Sequence, residues 1–202
     1  PHPAKGGEVV GEAIIARRGG SGEVIVEFES FTPSNTVASG ELVHSTPTAL
    51  SVARIGLAGA SVGNYALFAG GYDNNADTNI TVDAYNTDLV RSTPTALSVA
   101  RGYLAGASVG NYALFAGGSS AGDTVDAYNT DLVRSTPTAL SVARADLAGA
   151  SVGNYALFAG GLGDSWDINT TVDAYNTDLV RSTPTALSVA RHSLAGASVG
   201  NY

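Results

Sequence analysis

Short apolar stretches, broken by Gly, Asn, Asp and Pro, run through most of this chain. One set of them lies at 104–109, 112–116, 124–129 and 133–143. The dipeptides Gly-Asn and Gly-Gly and the tripeptide Asn-Thr-Asp that separate these stretches are typical of tight turns. Brief apolar segments between such turns predict short β-strands, so the pattern favours an all-β fold.

The same set of segments recurs almost letter for letter along the chain. Full copies occupy 54–100, 101–143 and 144–190. A repeat of this length is one supersecondary unit, which buries its apolar faces only by stacking against its neighbours. The sequence therefore predicts an array of similar β units within a single domain, 8–202.

The two ends of the chain are interpreted as incomplete copies. Residues 8–53 contain β-rich segments at 9–16 and 23–29, followed by a clear match to the last part of the repeat. We interpret them as a degenerate first unit that lacks its first strand. Residues 191–202 match only the first segment and predict a lone inner strand, and 1–7 are interpreted as a tail.

The residues within one unit predict the order of its strands. Pro137 removes a hydrogen-bond donor from the fourth segment, which favours a sheet edge. Both alternating faces of Tyr-Ala-Leu-Phe-Ala are apolar, as in a strand that is covered on both sides. The first segment is almost entirely small residues, which suits strands crowded at a centre. The unit is therefore predicted to be a four-stranded antiparallel meander with its first strand innermost, the blade of a β-propeller.

Three motifs of the unit resemble the kelch repeat. They are Arg-x-x-Leu-Ala-Gly-Ala, Tyr-x-x-Phe-x-Gly-Gly and Val-x-x-Tyr-Asn, and they recur through 42–202. The resemblance implies a propeller of four-stranded blades. Kelch blades usually carry Trp near the start of the fourth strand, where this chain has Leu89, Leu132 and Leu179, so we expect a smaller apolar plug there. Near-identical copies of this type are also similar to kelch-like arrays in bacterial or phage surface and tail proteins.

Counting the strands predicts about four blades per chain. The incomplete unit at 8–53 would supply three strands, and 191–202 would supply the missing first strand. Either these ends pair within one chain and close the ring, or they pair with a second chain in a homo-oligomer. Both alternatives stay open, because an unpaired strand edge favours association of either kind.

The full copies differ from one another in two windows. One is the loop after each Gly-Gly, at 72–80, 119–123 and 162–170, and the other is the pair of residues after each repeated Arg. In an up-and-down meander both windows lie at the same end of the blade. Variation confined to one end of a fixed scaffold is typical of a recognition surface, although loops also vary because they tolerate change. The candidate ligand-binding residues are Ile55, Tyr72, Asp73, Asn74, Asp77, Tyr103, Asp123, Asp146, Asp164, Trp166, Asp167 and His192.

Composition limits the chemistry further. The chain has no Cys and a net charge of −8, so thiolate sites are excluded and binding to nucleic acid or to an anionic membrane is not expected. The histidines, His2, His44 and His192, are scattered, and the acidic loops lack EF-hand spacing. We therefore expect no metal, no cofactor and no catalytic residue. Salt bridges and turn caps between blades are expected from the repeated charged residues Asp83, Asp88, Arg91 and Arg101.

These features favour a non-enzymatic binding or structural module that contacts a glycan or a protein through its variable face. The expected setting is extracellular or virion-associated, as in a phage virion or bacterial surface protein. Two alternatives stay open: an engineered or self-assembling repeat scaffold without a ligand, and a small propeller enzyme with a site at the central opening.

Overall fold

A computed structural model of the protein divides into two compact units, Pro1–Thr46 and Pro47–Tyr202. The residues that it describes are 12–18, 24–30, 46–119 and 122–199.

The first unit contains an antiparallel hairpin. Strand β1 (Glu12–Arg18) pairs with β2 (Val24–Ser30), so that Glu12 lies opposite Ser30. The two strands expected here are therefore present, with bounds that differ by one to three residues from those predicted. Residues 31–45, which would carry the last strand of the degenerate unit, lie outside the described part of the chain.

The second unit contains three four-stranded antiparallel sheets, one for each full copy of the repeat. The first sheet comprises β3 (Ala58–Val62), β4 (Tyr65–Ala69), β5 (Val82–Tyr85) and β6 (Arg91–Ser92). The second comprises β7 (Ala105–Val109), β8 (Tyr112–Ala116), β9 (Val125–Asn129) and β10 (Arg134–Ser135). The third comprises β11 (Ala148–Val152), β12 (Tyr155–Ala159), β13 (Val172–Asn176) and β14 (Arg181–Ser182).

Each sheet is a meander in which neighbours in sequence are neighbours in space, as the pattern predicted. The first turn is a two-residue hairpin, because Val62 pairs with Tyr65 across Gly63. Gly63 has a φ of 52°, the sign that the first position of a primed hairpin turn requires. No helix long and apolar enough to cross a lipid bilayer occurs among the residues that the structure describes.

The fourth strand lies at a sheet edge, as expected, but is much shorter than predicted. A strand over 133–143 was expected, whereas β10 comprises only two residues. The strand ends just before Pro137, because proline has no N–H to continue the ladder. The residues that follow instead cross to the next sheet: in the second copy the Tyr128 hydroxyl donates to the Thr95 carbonyl, which belongs to the connection from the first sheet.

Each sheet of the second unit has two apolar faces, which stack in sequence order. We call the face that carries Ala113 and Phe115 of the second sheet its front face, and the face that carries Leu114 its back face; the same names apply to the equivalent residues of the other sheets. The back face of the first sheet packs on the front face of the second, and the back face of the second packs on the front face of the third. Leu132 and Leu179 pack against these clusters, which confirms the smaller apolar plug.

The first strands of successive sheets lie very close together, which explains their small residues. A Cβ built on Gly106 would lie 2.2 Å from the carbonyl oxygen of Gly59, and one on Gly149 would lie 2.1 Å from that of Gly106. In the same row the Ser108 N–H donates to the Ser151 hydroxyl at 2.9 Å. The predicted crowding of these strands is therefore confirmed.

The expected count of about four blades is corrected to three four-stranded sheets in the described residues. The N-terminal strands form a separate two-stranded sheet. The expected lone strand at 191–202 is present only as an isolated parallel bridge between Val199 and Val152, while residues 200–202 lie outside the described range.

Candidate functional site

The two variable windows of each copy are hydrogen-bonded to each other. Ile55 and Tyr72 exchange both backbone hydrogen bonds, at 2.9 and 2.8 Å. Ala145 and Leu162 do the same in the third copy, at 2.9 and 2.8 Å. The residues after the repeated Arg and the loop after Gly-Gly therefore form one continuous surface, as the meander topology predicted. We call this surface the variable end of each repeat copy.

The second residue of each post-Arg pair belongs to a row that crosses all the copies. Gly56, Tyr103, Asp146 and Ser193 have φ between 51° and 63°. The N–H of Tyr103 donates to the Gly56 carbonyl at 2.7 Å, that of Asp146 to Tyr103 at 3.0 Å, and that of Ser193 to Asp146 at 2.8 Å. A bulky residue such as Tyr is strained in this left-handed region, so the backbone conformation of the row is imposed by the fold.

A cavity of about 200 Å³ opens along this row. It is lined by the row and by the leucine that follows each member, as in Leu104 and Leu147. The carboxylate of Asp146 is the sole ionisable group other than the Tyr103 phenol among the lining residues.

The two long loops have the same hairpin conformation and different side chains. In the first copy Asp73 N–H donates to the Asp77 carbonyl at 3.0 Å, and in the third Gly163 N–H donates to Asp167 at 2.9 Å. The tip position has a φ of 63° in Ala76 and 64° in Trp166. The indole of Trp166 thus projects from a fixed turn and is 80% exposed.

Tyr72 holds neighbouring copies together rather than facing solvent. Its hydroxyl lies 2.5 Å from the Ser119 hydroxyl, and its ring centroid lies 5.2 Å from that of Tyr103. The ring lies over Gly102, where an added Cβ would come within 2.2 Å of it. These variable residues are therefore matched to one another across the copy boundary.

The acidic residues of the loops form turns and do not converge on a metal site. The Asp73 carboxylate accepts the N–H groups of Asn75 and Asp77, at 2.8 and 3.1 Å. No group of three His, Cys, Asp or Glu side chains placed to bind a metal ion occurs in the described ranges.

A buried ion pair in each copy lies next to the variable end. Arg54 donates to the Gly70 and Thr81 carbonyls at 2.7 and 2.6 Å, beside the start of the loop, and pairs with Asp83 at 2.5 Å. Burial lowers the pKa of the Arg54 guanidinium, and the charge of Asp83 opposes that shift. The equivalent pairs, Arg101–Asp126 at 2.8 Å and Arg144–Asp173 at 2.7 Å, are likewise fully buried.

The expected salt bridges between blades are corrected to salt bridges within one sheet, although Asp126 also accepts the Ser98 N–H of the preceding copy at 3.2 Å. Arg101 precedes β7 and Asp126 lies in β9, so the pair belongs to a single sheet. The turn between the third and fourth strands is capped by the Asn86 side chain, which accepts the N–H groups of Asp88 and Val90 at 3.1 and 2.9 Å. Asp88 is therefore a member of the capped turn and not its cap.

The opposite end of each unit is made of invariant turns that touch the next copy. A Cβ on Gly63 would lie 3.3 Å from Thr130, and one on Gly110 would lie 3.0 Å from Thr177. The first turns of the first and second copies therefore meet the last turn of the copy that follows each. This contact restrains variation at that end, whereas the loop tips of the variable end are free of it.

The structure brings the predicted residues to the variable end with different exposures. Half-buried side chains are those of Tyr72, Asp73 and Asp146. Exposed side chains are those of Ile55, Asn74, Asp77, Tyr103, Asp123, Asp164, Trp166, Asp167 and His192. Sequence reasoning missed Ile168, which is 49% exposed two residues beyond Trp166. The signal that could have identified Ile168 is that it is apolar, whereas the first copy has the polar Thr78 at the same position.

No protein-family model matches the chain, and a comparison with curated proteins gives no match.

Proposed function

We propose that this protein is a non-enzymatic binding module of the kelch-like propeller type, which recognises a glycan or a protein through its variable end. The observation that carries the proposal is the hydrogen-bonded union of the two variable windows in each copy. Everything that differs between copies thereby meets on one surface, while the invariant turns lie at the other end.

Trp166 is the anchor of the proposed site. It is 80% exposed on a fixed turn, with Ile168 49% exposed beside it in the same loop. An exposed indole is costly to leave in water unless a partner covers it, and aromatic anchors of this kind dominate the affinity of many interfaces. Polar Asp164 and Asp167 flank it, as is usual for the rim of a sugar or protein site.

The setting proposed for this activity is extracellular or virion-associated, in a phage virion or bacterial surface protein. Support comes from the resemblance of the repeat motifs to kelch-like arrays of that kind. In the proposed propeller the first strands surround the axis, which agrees with the close approach of Gly59, Gly106 and Gly149.

A matched pair of substitutions tests the proposal. Trp166→Gly removes the indole and suits the positive φ of 64°, and Ala76→Gly makes the same backbone change at the equivalent tip, where φ is 63°. Both variants are compared with the unaltered chain on an array of immobilised bacterial glycans and of bacterial surface proteins. We expect Trp166→Gly to lose about 30-fold or more in affinity, the size of a hot-spot residue, and Ala76→Gly to lose none. Equal binding by all three proteins would contradict the proposal.

A further inference from the structure

The front face of the first sheet is apolar and uncovered in the second unit. Ala66 is exposed and Leu89 is 45% exposed there, whereas Ala113 and Phe115 on the equivalent face of the second sheet are completely buried. The face lines a concavity of about 700 Å³ that includes Phe68. No further sheet lies on it among residues 47–119 and 122–199.

The molecule itself contains the surface that fits this face. Twice within the chain, a front face of identical sequence is buried by the back face of the preceding sheet. The third sheet has a back face of the same sequence, and no complete sheet lies upon it among residues 47–119 and 122–199. Val152 on that face is 41% exposed, whereas its equivalents Val62 and Val109 are 3% and 2% exposed.

We propose that the front face of the first sheet binds the back face of the third sheet of a second copy of this chain. The occupant is argued from the two internal interfaces, which use the same residues on both sides. The back-face sequences Leu-x-Ala and Val-x-Ala recur in all three four-stranded sheets but not in β1, which reads Glu-Ala-Ile-Ile-Ala-Arg-Arg, or in β2, which reads Val-Ile-Val-Glu-Phe-Glu-Ser.

The C-terminal segment of each chain acts as a competitor for this interface. Leu187 N–H donates to Thr170 at 2.8 Å and Gly161 N–H donates to Arg191 at 2.9 Å, so 183–199 lies on the third sheet. Residues 182–202 repeat 45–65 at every position except the variable pair. An incoming copy therefore replaces each of these hydrogen bonds with an identical one, and brings a complete four-stranded sheet to the contact.

The segment gains little from its present position, which favours exchange. Arg191 is exposed, whereas the equivalent Arg101 and Arg144 are buried in ion pairs. Leu194 is only half-buried, whereas Leu104 is 6% exposed. Because displacement precedes docking, association is expected to be slow as well as dependent on concentration.

The contact joins two different surfaces, so each copy retains one of each kind after pairing. Such a heterologous contact builds an open chain of molecules or a closed ring, not a two-fold dimer. This inference is independent of the proposed glycan or protein site, which lies on the variable end and not on a sheet face.

Two exposed positions allow a test by mixing variants of the full chain. Ala66→Glu charges only the front face, and Val152→Glu charges only the back face. Light scattering after size exclusion, at micromolar to millimolar concentration, should give a mass that rises with concentration for the unaltered chain. Each variant alone should stay monomeric, because each interface needs both faces. A mixture should form a one-to-one pair that grows no further.

Several outcomes would overturn the inference. They are a strictly monomeric unaltered chain at every concentration, self-association of either variant alone, and a mixture that does not pair. A milder variant guards against misfolding: Gly59→Ala adds a Cβ whose nearest neighbour within the chain is 3.7 Å away. In the proposed contact that Cβ meets the Gly149 carbonyl of the second copy, so this variant should fold normally and fail to associate. Continued association of Gly59→Ala would equally refute the inference.

Discussion

The close approach of the first strands makes a prediction in which one substitution has opposite effects in different copies. Gly59 and Gly106 occupy the same place in the identical sequence Ala-Gly-Ala-Ser-Val, and neither has a positive φ. A methyl group on Gly106 would lie 2.2 Å from the Gly59 carbonyl oxygen, whereas one on Gly59 has no neighbour closer than 3.7 Å. The two sites therefore differ only in what lies beside them.

The expected magnitudes have opposite signs. Gly→Ala without strain stabilises a protein by about 0.4–1 kcal/mol, because it restricts the unfolded chain. At Gly106 the backbone of two strands must separate by about 1 Å, and overpacking of this kind costs about 1–3 kcal/mol, or more when backbone must move. For a domain of this size 1 kcal/mol shifts Tm by about 2–4 °C. Gly106→Ala should therefore lower Tm by several degrees, and Gly59→Ala should raise it slightly.

Thermal unfolding followed by circular dichroism measures both variants, at a concentration low enough to keep the chain monomeric. Gly149→Ala is a replicate, since its methyl would lie 2.1 Å from the Gly106 carbonyl oxygen. Equal shifts of Tm for the three variants would show that the first strands do not stack as described. The close packing of these strands would then have to be abandoned.

Three further results are expected. Asp126→Ala leaves the buried Arg101 without its partner and should lower the free energy of unfolding in urea by about 3–5 kcal/mol. The control is Asp131→Ala in an exposed turn, which should lower it by less than about 0.5 kcal/mol. Similar losses in the two variants would contradict the role of the ion pair. Burial raises the pKa of the Tyr128 hydroxyl above its ordinary value of 10.0. The folded state therefore keeps this proton at a pH where the unfolded state loses it, and the free energy of unfolding should fall as pH rises above 10. In Tyr128→Phe the fall should be shallower, and an unchanged slope in alkaline unfolding would contradict this role of Tyr128. Ala76→Gly relieves a φ of 63° at an exposed tip and should raise stability by up to about 1 kcal/mol, with no gain in Tm as the contrary result.

Much of the fold could be predicted because the same pattern of apolar segments and turn residues occurs in three full copies. Turn residues set the hairpins, and the apolar pattern on both faces of Tyr-Ala-Leu-Phe-Ala indicated stacked sheets. The length of the fourth strand could not be predicted in the same way. The residues after Pro137 continue a β-like pattern, but they bond to a loop of their own copy, as Leu140 does to Asp123, and to the next sheet, as Ser141 does to Asp173. The sequence also could not predict which arginine pairs most closely with Asp126, because both Arg101 and Arg134 lie within salt-bridge distance of it, at 2.8 and 3.7 Å.

The candidate site was predictable in place but not in detail. Meander topology alone brought the two variable windows together, as in the pairing of Ile55 with Tyr72. The burial of Tyr72 was not predictable, because it depends on Gly102 and Ser119 of the next copy. Aromatic residues in variable loops look alike in a sequence whether they meet a ligand or a neighbour, and only Trp166 is left fully projecting.

The fit of Tyr72 over Gly102 also limits how this gene can change its number of repeats. Recombination between identical stretches that removed the middle copy would bring Tyr72 against Ala145, whose methyl group would occupy the space of the ring, since a Cβ at Gly102 would lie only 2.2 Å from it. Hydroxyl and ring partners would vanish together, because Leu162 and Asp146 would replace Ser119 and Tyr103. Each copy therefore fits its present neighbour and not the others, and removing the middle copy requires a compensating substitution where the first and third copies would meet.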